Sequence, residues 1–263
     1  MSAHDTPIAG GQLCTLAPAA RILGQVSYRI RRVTTTRAGG VSAPPYDTFN
    51  LGDHVGDNPS AVAANRTRLA EAIGLGPERV VWMNQVHGVR VAVVDEPQGA
   101  AVGGEVGTDA MVTRTPGLAL AVITADCVPV LLADARAGVV AAAHAGRVGA
   151  QQGVVARTVA VMQSLGAHPS DISALLGPAV SGRNYEVPAA MADDVEATLP
   201  HSRTTTARGT PGLDLRTGIA WQLKHLGVDA IDVDPRCTVA DRALFSHRRD
   251  APTGRLASLV WLE

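Results

Sequence analysis

Two long apolar runs dominate the middle of the chain, LALAVITADCVPVLLAD (118–134) and AGVVAAAHAG (137–146). Both read as apolar strands. Other stretches carry strand composition: YRIRRVTTT (28–36), RVVWMNQV (79–86), VRVAVVD (89–95), ISALLGPAV (172–180) and a closing GRLASLVWL. Helices are expected where caps precede helix-forming runs. Asn58 caps a helix with Pro59 at its first position, running through ANRTRLAEAIG. A second helix is predicted over 151–165, a third near 188–199, and a fourth over 214–226 behind Asp214. Between the first strand and the first helix lies a glycine-rich loop, RAGGVSAPPYDTFNLGDHVGDN. Residues 1–24 read as a loose N-terminal extension of small residues. No internal repeat and no linker divides the rest, so residues 25–263 are expected to form one mixed α/β (α+β) domain. Its sheets should be mixed and packed together, with helices flanking them.

DARAG at 134–138 has turn composition. If the two apolar runs pair across it as a hairpin, facing residues have numbers adding to about 272. Cys127 and His144 fall one short of that, so they are expected nearly opposite one another. Pro129 suggests a bulge or an edge position there.

Composition narrows the class. Hydrophobic residues make up 46% and charged residues 18%, as in a globular protein, and the net charge of −1 argues against a nucleic-acid or anionic-membrane partner. RIRR at 29–32 is the one dense basic patch. Three scattered cysteines fit a reducing compartment. With no signal-peptide pattern and no long apolar span, the expectation is a cytoplasmic protein.

A cysteine and a histidine on facing strands allow a metal site or a Cys–His nucleophile pair. The bland alternative is a small buried thiol and a core histidine. A catalytic zinc wants three protein ligands, and His87 in NQVHG, at the end of an earlier strand, is a third candidate. His54, in the glycine-rich loop, is a substrate-side candidate. The chain's eight histidines contain no H-x-H pair, which rules out four-copper oxidase chemistry.

TTRAGGVS, FNLGDHVGDNP, NQVHG, TADCVPVLLAD, AAAHAG, GPAVSGRNYEV and SHRRDAPTGRLASLVWL follow one another through the chain. Together they resemble the YfiH/YlmD family, whose members are called laccase-domain proteins, polyphenol oxidases, peptidoglycan editing factors or purine nucleoside phosphorylases with adenosine deaminase activity. The resemblance implies a mixed α/β fold and one zinc on His87, Cys127 and His144. It implies phosphorolysis of adenosine, inosine and methylthioadenosine, with nucleoside and phosphate as small-molecule partners. It also extends to toxins that deamidate glutamine through a Cys–His pair, which keeps open a Cys127–His144 hydrolase or amidase acting on peptidoglycan precursors.

Two departures stand out. Where the family shows HAGWRG this chain has HAGRVG, so Arg147 replaces the tryptophan and Val148 the arginine. Arg183 and Asn184 stand where the family often has paired cysteines. Arg37, leaving a strand into a Gly-Gly loop, is the expected phosphate contact, with Arg147 as its rival. Asn50 is a candidate to orient ribose hydroxyls, and Asp126 a candidate proton carrier beside Cys127. Arg248 and Arg249 read as structural or solvated. A monomer is expected.

Overall fold

A computed structural model describes residues 27–97 and 106–263. The expected extension at 1–24 lies outside them. Along the described chain run β1 (Ile30–Thr34), α1 (Pro59–Ala72), β2 (Val80–Trp82), β3 (Val91–Val93), β4 (Ala110–Thr113), β5 (Ala119–Thr124), β6 (Val128–Asp134) and β7 (Val139–Ala145). There follow α2 (Arg147–Gln151), α3 (Val154–Ser164), β8 (Ile172–Leu176), α4 (Ala189–Thr198), β9 (Arg203–Thr205), β10 (Pro211–Leu213), α5 (Leu215–His225), β11 (Ala230–Val233), α6 (His247–Asp250) and β12 (Leu256–Leu262).

The strands form two mixed sheets and a small ribbon. Four strands lie in the order β1-β12-β5-β2, six in the order β11-β8-β6-β7-β4-β3, and β9 pairs with β10. Alternation within each strand explains how the sheets stack. Leu120 and Val122 of β5 and Val260 and Leu262 of β12 share one core with Leu131 and Ala133 of β6 and Val140 and Ala142 of β7. The intervening residues point away. Val130, Leu132, Ala141 and Ala143 pack on α3 and α5 through Val155, Val159, Ile219 and Leu223. Ala119, Ala121 and Leu259 face Leu69 and Ala70 of α1. The result is four layers: helix, four-stranded sheet, six-stranded sheet, helices. Strands covered on both faces need apolar residues at every position, which is why the central runs show no alternation.

The first and last predicted helices have their expected caps. The Asn58 side chain accepts from Ser60 N at 2.9 Å and Asp214 from Thr217 N at 3.2 Å. Several expectations are corrected. LALAVITADCVPVLLAD is two strands in different sheets, broken at Ala125–Cys127, where Asp126 takes a left-handed φ of 101°. The hairpin pairs one residue further along than expected: His144 faces Pro129 and Ala145 faces Val128. Pro129 sits neither on an edge strand nor at a bulge. It is the second residue of β6, which lies between β7 and β8, and the β8 ladder begins only at Val130. The helix expected at 151–165 is α3, preceded by the separate short α2, which holds Arg147 and Val148.

Candidate metal centre

The chain passes from the four-stranded to the six-stranded sheet between β5 and β6, and Cys127 ends that crossing. His144 is the penultimate residue of β7, with 3% of its surface exposed. His87 follows β2 in a turn, with a left-handed φ of 60°. Among the described residues, two of the three non-glycine residues with positive φ, His87 and Asp126, are therefore at this one place. Held backbone strain of that kind needs support from its surroundings, and Asp109 supplies it for His87. Its carboxylate, fully buried just before β4, accepts from Val86 N at 3.2 Å, His87 N at 2.9 Å and Gly88 N at 2.7 Å. The same carboxylate meets His144 Nδ1 at 2.8 Å. An acceptor at Nδ1 fixes the ring's tautomer and leaves Nε2 as the free ligand atom.

The Cys127 Sγ lies 3.8 Å from His87 Nε2, and one ligand atom from each of His87, Cys127 and His144 falls within 4.8 Å of the others. Bond lengths of about 2.3 Å to sulfur and about 2.0 Å to nitrogen put tetrahedral neighbours about 3.6 Å apart. The Sγ–Nε2 edge is close to that, so two imidazoles and a thiol fit a metal ion with one position left open. Gly146 is required by the approach: a Cβ there would lie 2.7 Å from His87 Cδ2 and 3.1 Å from Cys127 Sγ.

The electrostatics suit a thiolate. Burial works to raise the Cys127 thiol, but His144 and His87 outweigh it and hold its pKa at about 6. Burial works to lower His144, yet Cys127 and Asp109 hold it at about 9. Burial likewise opposes ionisation of Asp109, and the hydrogen bonds from His144 and Gly88 overcome it, leaving the carboxyl below its ordinary value.

A cavity of about 550 Å³ opens over the group, a normal size for a small-molecule site. Arg147, Arg248 and Arg255 line it, with His54 and His247. Ile123, Val180 and Leu215 give it an apolar wall, and Tyr185 and Gln85 complete the polar part.

Of the residues expected here, His87, Cys127, His144, Asp126, His54 and Arg147 line the cavity. Arg37 and Asn50 do not. Arg37 is neutralised by Asp47 at 3.3 Å and Asp250 at 3.8 Å, with its guanidinium over Phe245. A loop rich in glycine suggested an anion cradle, but its arginine turns inward to hold the loop. Asn50 is fully buried, and its amide is spent on Gly52, Asp57 and the Arg255 N–H. Asp126 accepts from Thr238 Oγ1 at 2.6 Å, Ser246 Oγ at 2.7 Å and Arg248 N at 2.7 Å. It fastens the 238–248 segment to the crossing rather than standing free to carry a proton. Arg249 is structural as expected, donating to the carbonyls of Thr238, Val239, Asp241 and Leu244. Arg248 belongs to the cavity instead, stacked 4.8 Å from the Tyr185 ring centre.

Sequence reasoning missed Asp109, Gln85, Tyr185, Arg255 and His247. Asp109 had a readable signal, an acid opening the apolar run DAMV, since a carboxylate at a buried strand end needs partners. Among the described residues, no helix is long and apolar enough to cross a membrane.

Comparison with known proteins agrees with this architecture. Residues 31–263 match the family model described as multi-copper polyphenol oxidoreductase laccase. The purine nucleoside phosphorylase of Mycobacterium tuberculosis is 76% identical over 240 residues, covering 91% of this chain and 95% of that one. A Corynebacterium glutamicum protein of the same name is 60% identical, covering 89% and 94%. Among solved structures, YlmD from Geobacillus stearothermophilus is 35% identical with a TM-score of 0.81, covering 88% of this chain and 92% of its own. Bacillus licheniformis YfiH is 32% identical with a TM-score of 0.80, covering 89% and 93%. The copper in the family description contrasts with a single three-ligand group among the described residues. On the strength of the match over residues 31–263 and of these relatives, the chain belongs to the laccase-like family of the YfiH and YlmD proteins.

Proposed function

We propose that this protein is a zinc-dependent purine nucleoside phosphorylase of the cytoplasm, acting on adenosine, inosine and methylthioadenosine, with adenosine deamination as a second activity. The observation that carries the reading is one cavity holding both the His87–Cys127–His144 group and a wall of three arginines. The names of the mycobacterial and corynebacterial relatives support it. Two imidazoles and a thiolate suit zinc. When bound, such an ion supplies Lewis-acid polarisation at its open position.

The chain's own residues do the rest. Phosphorolysis brings phosphate to the anomeric carbon while positive charge grows on the ribose. Arg147 and Arg248 hold the phosphate, their guanidinium forks matching its oxygens. Ile123, Val180 and Leu215 receive the apolar faces of base and sugar and exclude water. His54, at the mouth, faces the ribose. Asp109 keeps His144 in its ligand tautomer and His87 in its strained turn. A reducing compartment keeps Cys127 reduced. Nucleoside and phosphate are the partners, without nucleic acid, and the protein acts as a monomer.

The test is a nucleoside panel with and without phosphate, products separated by chromatography, alongside elemental analysis. Expected are ribose 1-phosphate formed only with phosphate and one zinc per chain, lost in Cys127→Ala. Base released at equal rates without phosphate would overturn phosphorolysis.

A second reading rests on the Cys127–His144 pair. With Cys127 held at about 6 and His144 at about 9, the pair without a metal is thiolate and imidazolium at neutral pH. That is the resting state of a Cys–His hydrolase, such as an amidase on peptidoglycan precursors. Amide cleavage by zinc-stripped protein, stopped by alkylating Cys127, would favour it.

A further inference from the structure

One requirement of the proposed phosphorolysis has no residue assigned. When the bond between ribose C1′ and purine N9 breaks, the electron pair stays with the base. A proton delivered to N7 lets the base leave neutral. Several proton carriers line the cavity, and most are committed. His87, Cys127 and His144 make up the metal group. Asp126 spends its carboxylate on three donors. Gln85 uses both ends of its amide on the Ile123 backbone. His54 is paired with Asp53 at 3.6 Å. Tyr185 and His247 remain.

Tyr185 is held as a catalytic group is held. Its N–H donates to Ser181 O at 3.0 Å, and its carbonyl accepts from Leu213 N at 3.1 Å. The Arg248 guanidinium covers its ring at 4.8 Å. The side chain is half-buried, yet its hydroxyl has no hydrogen-bond partner among the described residues. Backbone and ring are thus held by the protein, and the residue lines the cavity. His247 is exposed, on the short α6, with water as a ready proton source.

We infer that Tyr185 is the general acid that protonates the departing purine. The assignment rests on the phosphorylase reading. In the step a phosphate oxygen forms a bond to C1′, the C1′–N9 bond breaks with its electron pair going to the base, and the Tyr185 Oη proton moves to N7. The phenolate regains a proton from solvent when the base leaves. A phenol carries its proton at neutral pH, and burial raises this one further.

The experiment compares inosine with 7-methylinosine, whose methylated base leaves without needing a proton. In Tyr185→Phe, which keeps the ring, kcat for inosine should fall by about 10²- to 10⁴-fold while that for 7-methylinosine stays within about threefold, the pattern of a lost general acid. Zinc content should not change. Equal losses on both nucleosides, or none on either, would overturn the assignment. So would a selective loss on inosine that appears in His247→Gln and not in Tyr185→Phe. A wild-type enzyme that cleaves neither nucleoside sinks the phosphorylase reading, and the Tyr185 role with it.

Discussion

Asp109 does two jobs with one carboxylate: it holds the strained backbone before Gly88 and the ring of His144. Asp109→Asn keeps the size but removes the charge and half of the acceptor capacity. Metal affinity is expected to fall about 10- to 100-fold, as for other residues behind metal-binding histidines, measured by competition with a chelator. The arginines separate in the same way. Arg147 reaches the cavity with only a 3.4 Å contact to Gln151, whereas Arg37 is consumed by Asp47 and Asp250. Arg147→Ala should therefore raise the phosphate KM about ten- to a hundredfold, the worth of a charge-assisted bond, and Arg37→Lys should leave it unchanged. The opposite ranking would put the anion site at the Gly-Gly loop. Sequence spacing and the family resemblance brought the three candidate ligands into view, because ligand types are written in residue types. They failed for Arg37 and Asn50, because whether a loop arginine turns toward a cavity or back on its own loop depends on partners far along the chain, such as Asp250 and Arg255.

At the scale of elements, β6 shows what the sequence expresses and what it hides. Its apolar run announced a strand, and Leu131 and Leu132 are fully buried on opposite sides of it. Nothing in that run says which sheet it joins, since both faces are equally apolar. Hence β5 and β6 read as one strand, although the chain changes sheet at Asp126. The short β4, β9, β10 and β11 escaped for another reason: three or four residues carry too little periodicity to separate from a loop. Leu131 sits between the sheets with no solvent exposure. Leu131→Ala should cost about 2–5 kcal/mol of unfolding free energy by the usual cavity and transfer cost, seen in denaturant melts, and should weaken the hold on a bound metal.

For the whole molecule, the four-layer stack is closed by apolar cores that exist without any ion. Stripping the metal should therefore leave a cooperatively folded protein with a lower melting temperature, unlike a zinc finger, which unfolds. Calorimetry with and without chelator checks this, and loss of the transition would be the contrary result. The position of the three ligands has one more consequence. His87 lies on the segment that runs from β2 of the smaller sheet to β3 of the larger, His144 on a strand of the larger, and Cys127 on the second segment that steps between the sheets. An ion gripping all three would act as a rivet through the two leaves, set at their rim. Sliding one leaf across the other by an ångström would pull the rivet's holes out of line. Metal affinity thus becomes a gauge of how well two sheets are docked, and damage to their distant contact surface would be felt first as a leaking metal.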